Sequence, residues 1–157
     1  MKYWRGSGGS ALAELGPALI VATMVLLAIF GMIELINGVK INDSAAAEAV
    51  RVVAAGDPIS AYSRAQIVVD HANQQSTAWG STFKLVSITF NPANIIAQEA
   101  AMVPNGGMLT GNATVVTQLT FSPVGSGMAP VTINSQKSCP FSYNVPNTAG
   151  GVPVVSQ

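Results

Sequence analysis

Residues 15–36 read LGPALIVATMVLLAIFGMIELI, an apolar run of 22 residues interrupted by one charge, Glu34. At ~1.5 Å of rise per residue, a helix of about 20 residues matches a ~30 Å hydrocarbon core, so this run is long enough to cross a bilayer. It exceeds the ~7–15-residue apolar region of a cleaved secretory signal. Ahead of it stand Lys2 and Arg5, then Gly6-Ser7-Gly8-Gly9 and Ser10-Ala11-Leu12-Ala13-Glu14. A carboxylate at Glu14, on the edge of the run, is expensive near lipid unless something pairs with it. The flanks set an orientation. Lys2 and Arg5 precede the run, and Asn37, Lys40 and Asp43 follow it, which predicts a cytoplasmic N-terminus and an exported remainder.

The rest of the chain is sparing with charge. Only 9% of its 157 residues are charged, against ~25% in an average soluble domain. Formal net charge is zero and no basic patch exists, which excludes the electrostatic footprint of nucleic-acid binding. Beyond Glu99 the only charge is Lys137, a surface better suited to a packed assembly than to a freely soluble monomer. Cys139 is the one cysteine, so no intramolecular disulfide is possible; it is expected to be a small, partly buried hydrophobe.

Past Ile36 the helical pattern persists. Asn37 and Gly38 weaken it, but Val39, Ile41, Ala45, Ala49, Val52 and Val53 continue an apolar stripe at three- and four-residue steps. Glu48 and Arg51 sit three apart and are expected to pair on the exposed face. Gly56-Asp57-Pro58 is a stop signal. The pattern predicts one helix over about residues 11–55, its first half membrane-embedded and its second half amphipathic. Ser60 is the expected N-cap of a second helix reaching about Gln75 and closed by Gly80. His71 falls in that helix with no Cys or second His nearby, so no metal site is expected.

Strands follow. Residues 83–90 are β-branched and aromatic and end at Asn91-Pro92. Residues 112–121 alternate, with Val115, Thr117, Leu119 and Phe121 on one face. The two are expected to pair in a small antiparallel sheet on the helices, because neither can cover its own apolar face. Residues 95–103 suit a short helix or an irregular loop, and Asn105-Gly106-Gly107 a turn. From Ser122 onward nine of the last 36 residues are Pro or Gly. That predicts a loop-rich end, with edge strands at residues 131–133 and 152–155. The expected class is α+β: a transmembrane and assembly helix over 10–37, an exported head over 38–121, and a C-terminal extension over 122–157.

No Gly-x-Ser-x-Gly, no phosphate-cradling glycine loop and no His/Cys cluster is present, so no catalytic site, metal or other cofactor is expected. The N-terminus carries a different chemistry. Cleavage of the Gly9–Ser10 bond would leave Glu14 as the fifth residue and create an α-amino group near the membrane surface. That ammonium on one subunit would neutralise the glutamate of its neighbour, making Glu14 costly alone and satisfied in a polymer. Glu34 lies 20 residues on, ~30 Å along a helix and on nearly the opposite face. It marks the far interface or addresses a different neighbour. Pro17 frees the Ala13 carbonyl if it is interior to the helix, or sits harmlessly in the first turns of a helix starting near Glu14.

These residues resemble the class III signal of type IV pilins and, more narrowly, TadE-like minor pilins or pseudopilins of the tight-adherence system. The resemblance rests on Arg5-Gly6-Ser7, the opening Ser10-Ala11-Leu12-Ala13-Glu14, Gly31-Met32-Ile33-Glu34-Leu35, and the alanine-rich segment ending in Arg51. It departs from the family at Pro17, which stands early, and at Leu15, where an aromatic residue is more usual. The resemblance implies a leader over residues 1–9, removed by a prepilin peptidase, and a subunit held in the bacterial inner membrane. An assembly platform would then pack it with copies of itself or other pilins into a pilus or pseudopilus. Two alternatives accompany that expectation: an uncleaved single-pass adhesin or binding module, and a secreted protein cut after Ala45-Ala46-Ala47.

Overall fold

One helix, α1 (Gly8–Ala54), supplies the long axis of the molecule. It belongs to a computed structural model that describes residues 8–76, 78, 80–123 and 129–147, with side chains from Leu15 onward. The chain then forms α2 (Ala61–Gln75), β1 (Ser81–Asn91), α3 (Ile95–Met102), β2 (Gly107–Phe121) and β3 (Val131–Val145). The class is α+β. The three strands make one antiparallel sheet in the order β1-β2-β3. One face of that sheet packs on the second half of α1 and on α2.

The helices contribute small side chains to this core. Ala45, Ala46 and Ala49 of α1 and Ala61 and Ala65 of α2 are buried, so the two helix backbones can lie close. The sheet contributes the larger ones, including Phe83, Leu85, Leu109, Leu119 and Phe141. Val115, Thr117, Leu119 and Phe121 are all buried on the one face that their alternation predicts. On the open face, polar pairs stand directly opposite across β2 and β3: Gln118 donates to Asn134 (3.0 Å) and Thr114 to Ser138 (3.2 Å).

Gly38 does not end the helix, although glycine in a helix interior costs about 1 kcal/mol relative to alanine. It is buried where α1 crosses the sheet. A Cβ there would stand 3.0 Å from Ser81 Oγ and 3.2 Å from Leu119 Cδ2, so glycine is what lets the helix approach.

Three local expectations are corrected. Gly80 does not close α2, which stops at Gln75. It takes φ +73° in the turn entering β1, and its carbonyl accepts the Ser122 N–H at 2.9 Å. Ser60 occupies the N-cap position but makes no side-chain capping bond. Its hydroxyl instead donates to the Asp57 carbonyl (3.4 Å) and accepts from Arg64. Glu48 and Arg51 are both exposed and no ion pair joins them; a solvated i,i+3 pair gains only ~0.2–0.5 kcal/mol, too little to hold two long side chains together.

The C-terminal region is more ordered than its composition suggests. The expected short strand at 131–133 is the start of a fifteen-residue strand, β3, in register with all of β2. The sheet therefore continues past the expected head boundary at 121. Pro140 is accommodated because β3 is an edge strand. The register places its ring nitrogen on the side away from β2, where no ladder bond is lost. The second expected strand, 152–155, lies outside the described residues.

Candidate functional site

Every residue from 15 to 30 of α1 is exposed, and among them stand large apolar side chains such as Leu19, Met24, Leu26 and Phe30. None of the best apolar window is buried in the chain's own fold, and its length and composition suffice to cross a membrane. A contiguous apolar surface of this kind marks a contact with lipid or protein. The one hydroxyl at its centre is already satisfied. Thr23 Oγ1 donates to the Leu19 carbonyl four residues back, at 2.8 Å, as a low-dielectric surrounding requires.

The helix starts at Gly8, so Pro17 is interior to it and not in its first turn. Of the two readings of Pro17, the structure therefore selects the first: the Ala13 carbonyl lacks its usual amide donor. The backbone of Gly9 and Ser10 lies in the first turn of α1, where the amides have no intrahelical partners and unwinding is cheap. Glu14 is on the same unbroken helix as Glu34, which keeps their 20-residue spacing. The side chain of Glu14, and the whole of Lys2 and Arg5, lie outside the described residues.

Glu34 is half-buried at the point where the apolar segment meets the head. Leu35 packs against the core one residue later, and Gly38 is fully enclosed. The junction is fastened by polar groups that the sequence pattern did not bring together. Asn42 is buried, with its amide donating to the Ile133 carbonyl at 3.3 Å. Thr117 Oγ1 donates to the Asn42 carbonyl at 3.4 Å. Asp43 takes Lys137 Nζ at 2.8 Å and the Ser135 hydroxyl at 2.6 Å, an ion pair 94 residues apart in sequence. The only charge of the last third of the chain thus binds α1 to β3.

The Lys137 and Ser135 hydrogen bonds hold the Asp43 carboxyl below its ordinary value of 3.8, against a small opposing effect of burial. A lowered folded-state value gives stability that is present above 3.8 and is lost as pH falls through the folded value. The difference in melting temperature between wild type and Asp43→Asn is therefore expected to shrink as the pH drops below 3.8. It should also shrink with added salt, because both groups are solvent-accessible. Thermal unfolding at several pH and salt values checks this.

At the other end of the head, Arg64 clasps the C-terminus of α1. Its guanidinium donates to the carbonyls of Val52 (3.3 Å), Val53 (3.4 Å) and Asp57 (2.7 Å), and to Ser60 Oγ. It serves as a tertiary cap where the helix dipole is negative. Asn73 does a similar service for the sheet. Its side-chain amide donates to the Phe83 carbonyl (2.8 Å) and accepts from the Phe83 N–H (2.7 Å), replacing a neighbouring strand at the free edge of β1. In the sequence nothing sets Arg64 or Asn73 apart from the other polar residues of α2.

Ala45 and Ala46 are buried in the last third of α1, so a cut after Ala47 would divide a helix that the head is built on. Cys139 is half-buried against the core and its Sγ lies 3.4 Å from the Pro140 carbonyl. His71 is exposed, and among the described residues no three His, Cys, Asp or Glu side chains are grouped to hold a metal. Comparison of the chain with protein-family models, with curated proteins and with solved structures finds no match in any of the three.

Proposed function

We propose that this chain is a structural subunit of a type IV-like, tight-adherence pilus or pseudopilus. One observation carries the proposal. A single helix is exposed and apolar over 15–30 and becomes the core helix of a folded head over 45–53. In water the first half must be covered, and a bilayer or a bundle of sister helices can cover it in turn. The uninterrupted helix makes the head follow wherever the apolar half goes, which suits a subunit lifted from a membrane into a polymer.

Under this proposal Lys2 and Arg5 hold the N-terminus in the cytoplasm and the head is exported from the bacterial inner membrane. A prepilin peptidase cuts between Gly9 and Ser10 after the first turn unwinds. The Ser10 ammonium of one subunit meets the Glu14 of another, and the assembly platform adds subunits through helix packing. Glu34, at the head junction, addresses a second neighbour. The role is structural and not catalytic.

Intact mass and N-terminal sequencing of chain purified from its native membrane test the reading. Ser10 as first residue is expected; retention of Met1 in assembled material points instead to an anchored binding module. Glu14→Leu is expected to leave membrane insertion unchanged and to reduce incorporation into filaments at least tenfold, a loss of about 1.4 kcal/mol or more of assembly free energy. Wild-type incorporation of Glu14→Leu would remove the selector role of that carboxylate.

A further inference from the structure

The end of the head farthest from the apolar segment carries an open apolar groove that the proposed function does not use. It has a volume of about 410 Å³ and is lined by Pro58, Ile59 and Tyr62 on the α1–α2 side, Ile88 and Phe90 on β1, and Ile96 on α3. Ile59, Tyr62 and Ile96 are 65%, 59% and 51% exposed, apolar surface that a docked segment would take out of water. The walls are already set. The Ile59 N–H donates to Asp57 Oδ1 at 2.7 Å, and the Phe90 ring stands edge-on to Phe141 with centroids 5.5 Å apart. A segment that enters the groove therefore has little to reorganise.

The chain leaves β3 beside this groove. Asn147, the last of the described residues, packs on Gly106: a Cβ on that glycine would stand 3.2 Å from Asn147 Cβ. The Gly106 N–H in turn donates to the carbonyl of Met102, the last residue of α3, at 2.7 Å. Ile96 of the groove is six residues back on the same helix, ~9 Å along its axis. Residues 148–157 follow Asn147 and read TAGGVPVVSQ. Val152 is five residues beyond Asn147, a span of up to ~17 Å of extended chain. The apolar run Val152-Pro153-Val154-Val155 is thus tethered within reach of the groove, at an effective concentration on the order of millimolar.

We propose that this groove is the docking site of the chain's own residues 152–155. Two chemical matches favour them over other occupants. Neither side is charged: no Asp, Glu, Lys or Arg lines the groove and none occurs over 148–157, so no ion is desolvated on contact. Proline with flanking valines also suits the extended, polyproline-like segments that aromatic-lined grooves take, and Tyr62 and Phe90 supply the aromatic walls. Docking covers Ile59, Tyr62 and Ile96 and ties the far end of β3 to α2 and α3.

The test places a nitroxide spin label on Ser156→Cys in a Cys139→Ser background, in the full chain with isotope-labelled isoleucine methyls. Lipid nanodiscs cover the apolar half of α1 and keep free detergent out of the groove. The Ile59 and Ile96 methyl signals are expected to relax several-fold faster than that of Ile133, which sits beside Asn42 at the junction. Adding Val154→Asp is expected to return them to the Ile133 level. Equal rates at all three methyls before that substitution, or fast rates that survive it, would overturn the proposal. A mixture of spin-labelled chain without isotope and isotope-labelled chain without the nitroxide separates one molecule from two. Fast relaxation in the mixture would overturn the proposal in favour of a second copy as occupant. Should the labelled variant fail to fold, nuclear Overhauser contacts in wild type decide. Contacts from the Val154 or Val155 methyls to the Tyr62 ring support docking; their absence, or contacts to β3 instead, overturns it. None of these outcomes depends on whether the chain enters a filament.

Discussion

Leu119→Ala is expected to destabilise the head by about 3 kcal/mol, within the range of buried leucine truncations. Leu119 is fully buried in β2, with Phe83 opposite it on β1 and Ile133 on β3. Above it lies not a side chain but the backbone of α1 at Gly38, whose missing Cβ would stand 3.2 Å from Leu119 Cδ2. A glycine cannot swing into the space that truncation leaves, and strands fix the other walls, so the void stays open. Denaturant unfolding of the full chain in micelles measures the loss.

The same geometry predicts a coupling. In wild type, Gly38→Ala gains helix propensity of about 1 kcal/mol but drives a methyl group against Leu119 and Ser81. In the Leu119→Ala background that methyl enters the vacated space, so the substitution is expected to be stabilising. A coupling energy of about 1 kcal/mol or more in the double-mutant cycle is the expected signature. Additivity of the two changes would show that the helix and sheet do not meet as closely as the distances indicate.

The parts of the fold that were legible in the sequence are those whose signal is periodic and apolar. The run over 15–36 needs no partner to be recognised, and the alternation of Val115, Thr117, Leu119 and Phe121 announces a half-buried strand by itself. β3 announces little. Its residues include Asn134, Ser135, Gln136, Lys137, Ser138 and Pro140, none of which favours a strand, and what makes it one is the ladder that β2 offers. The role of Gly38 was hidden for a related reason. Its weak helix propensity is a local property, whereas its value lies in a sheet that arrives much later in the chain. The apolar half of the candidate site could be read from the sequence, because exposure follows from composition and length. The polar fastenings could not. Asp43 and Lys137 are separated by dozens of residues, and each looked like an ordinary solvated charge until the fold joined them.

Arg64 is the clearest such case, and its removal carries the second large expected effect. Arg64→Ala is expected to cost about 2–3 kcal/mol. Hydrogen bonds from a charged donor are worth ~1.5–3 kcal/mol each, but the contacts to Val52 and Val53 are long and will contribute less than the 2.7 Å bond to the Asp57 carbonyl. The loss has two sources: the last carbonyls of α1 regain no partner of equal charge, and the turn over 55–60 is no longer tied to α2. Arg64→Lys should recover less than half, because an ammonium cannot reach several carbonyls from one planar fork. Gly56 sharpens the point, since a Cβ there would stand 2.9 Å from the Arg64 Cζ; the turn is shaped around the guanidinium. Denaturant unfolding gives the magnitude, and amide exchange at Ala55, which bonds to the Arg51 carbonyl at 3.0 Å, gives the location. Faster exchange at Ala55 in Arg64→Ala, with little change at Gly38, is the result of a lost cap. Equal stability of Arg64→Lys and wild type would mean that charge alone, and not the forked geometry, secures the end of the long helix.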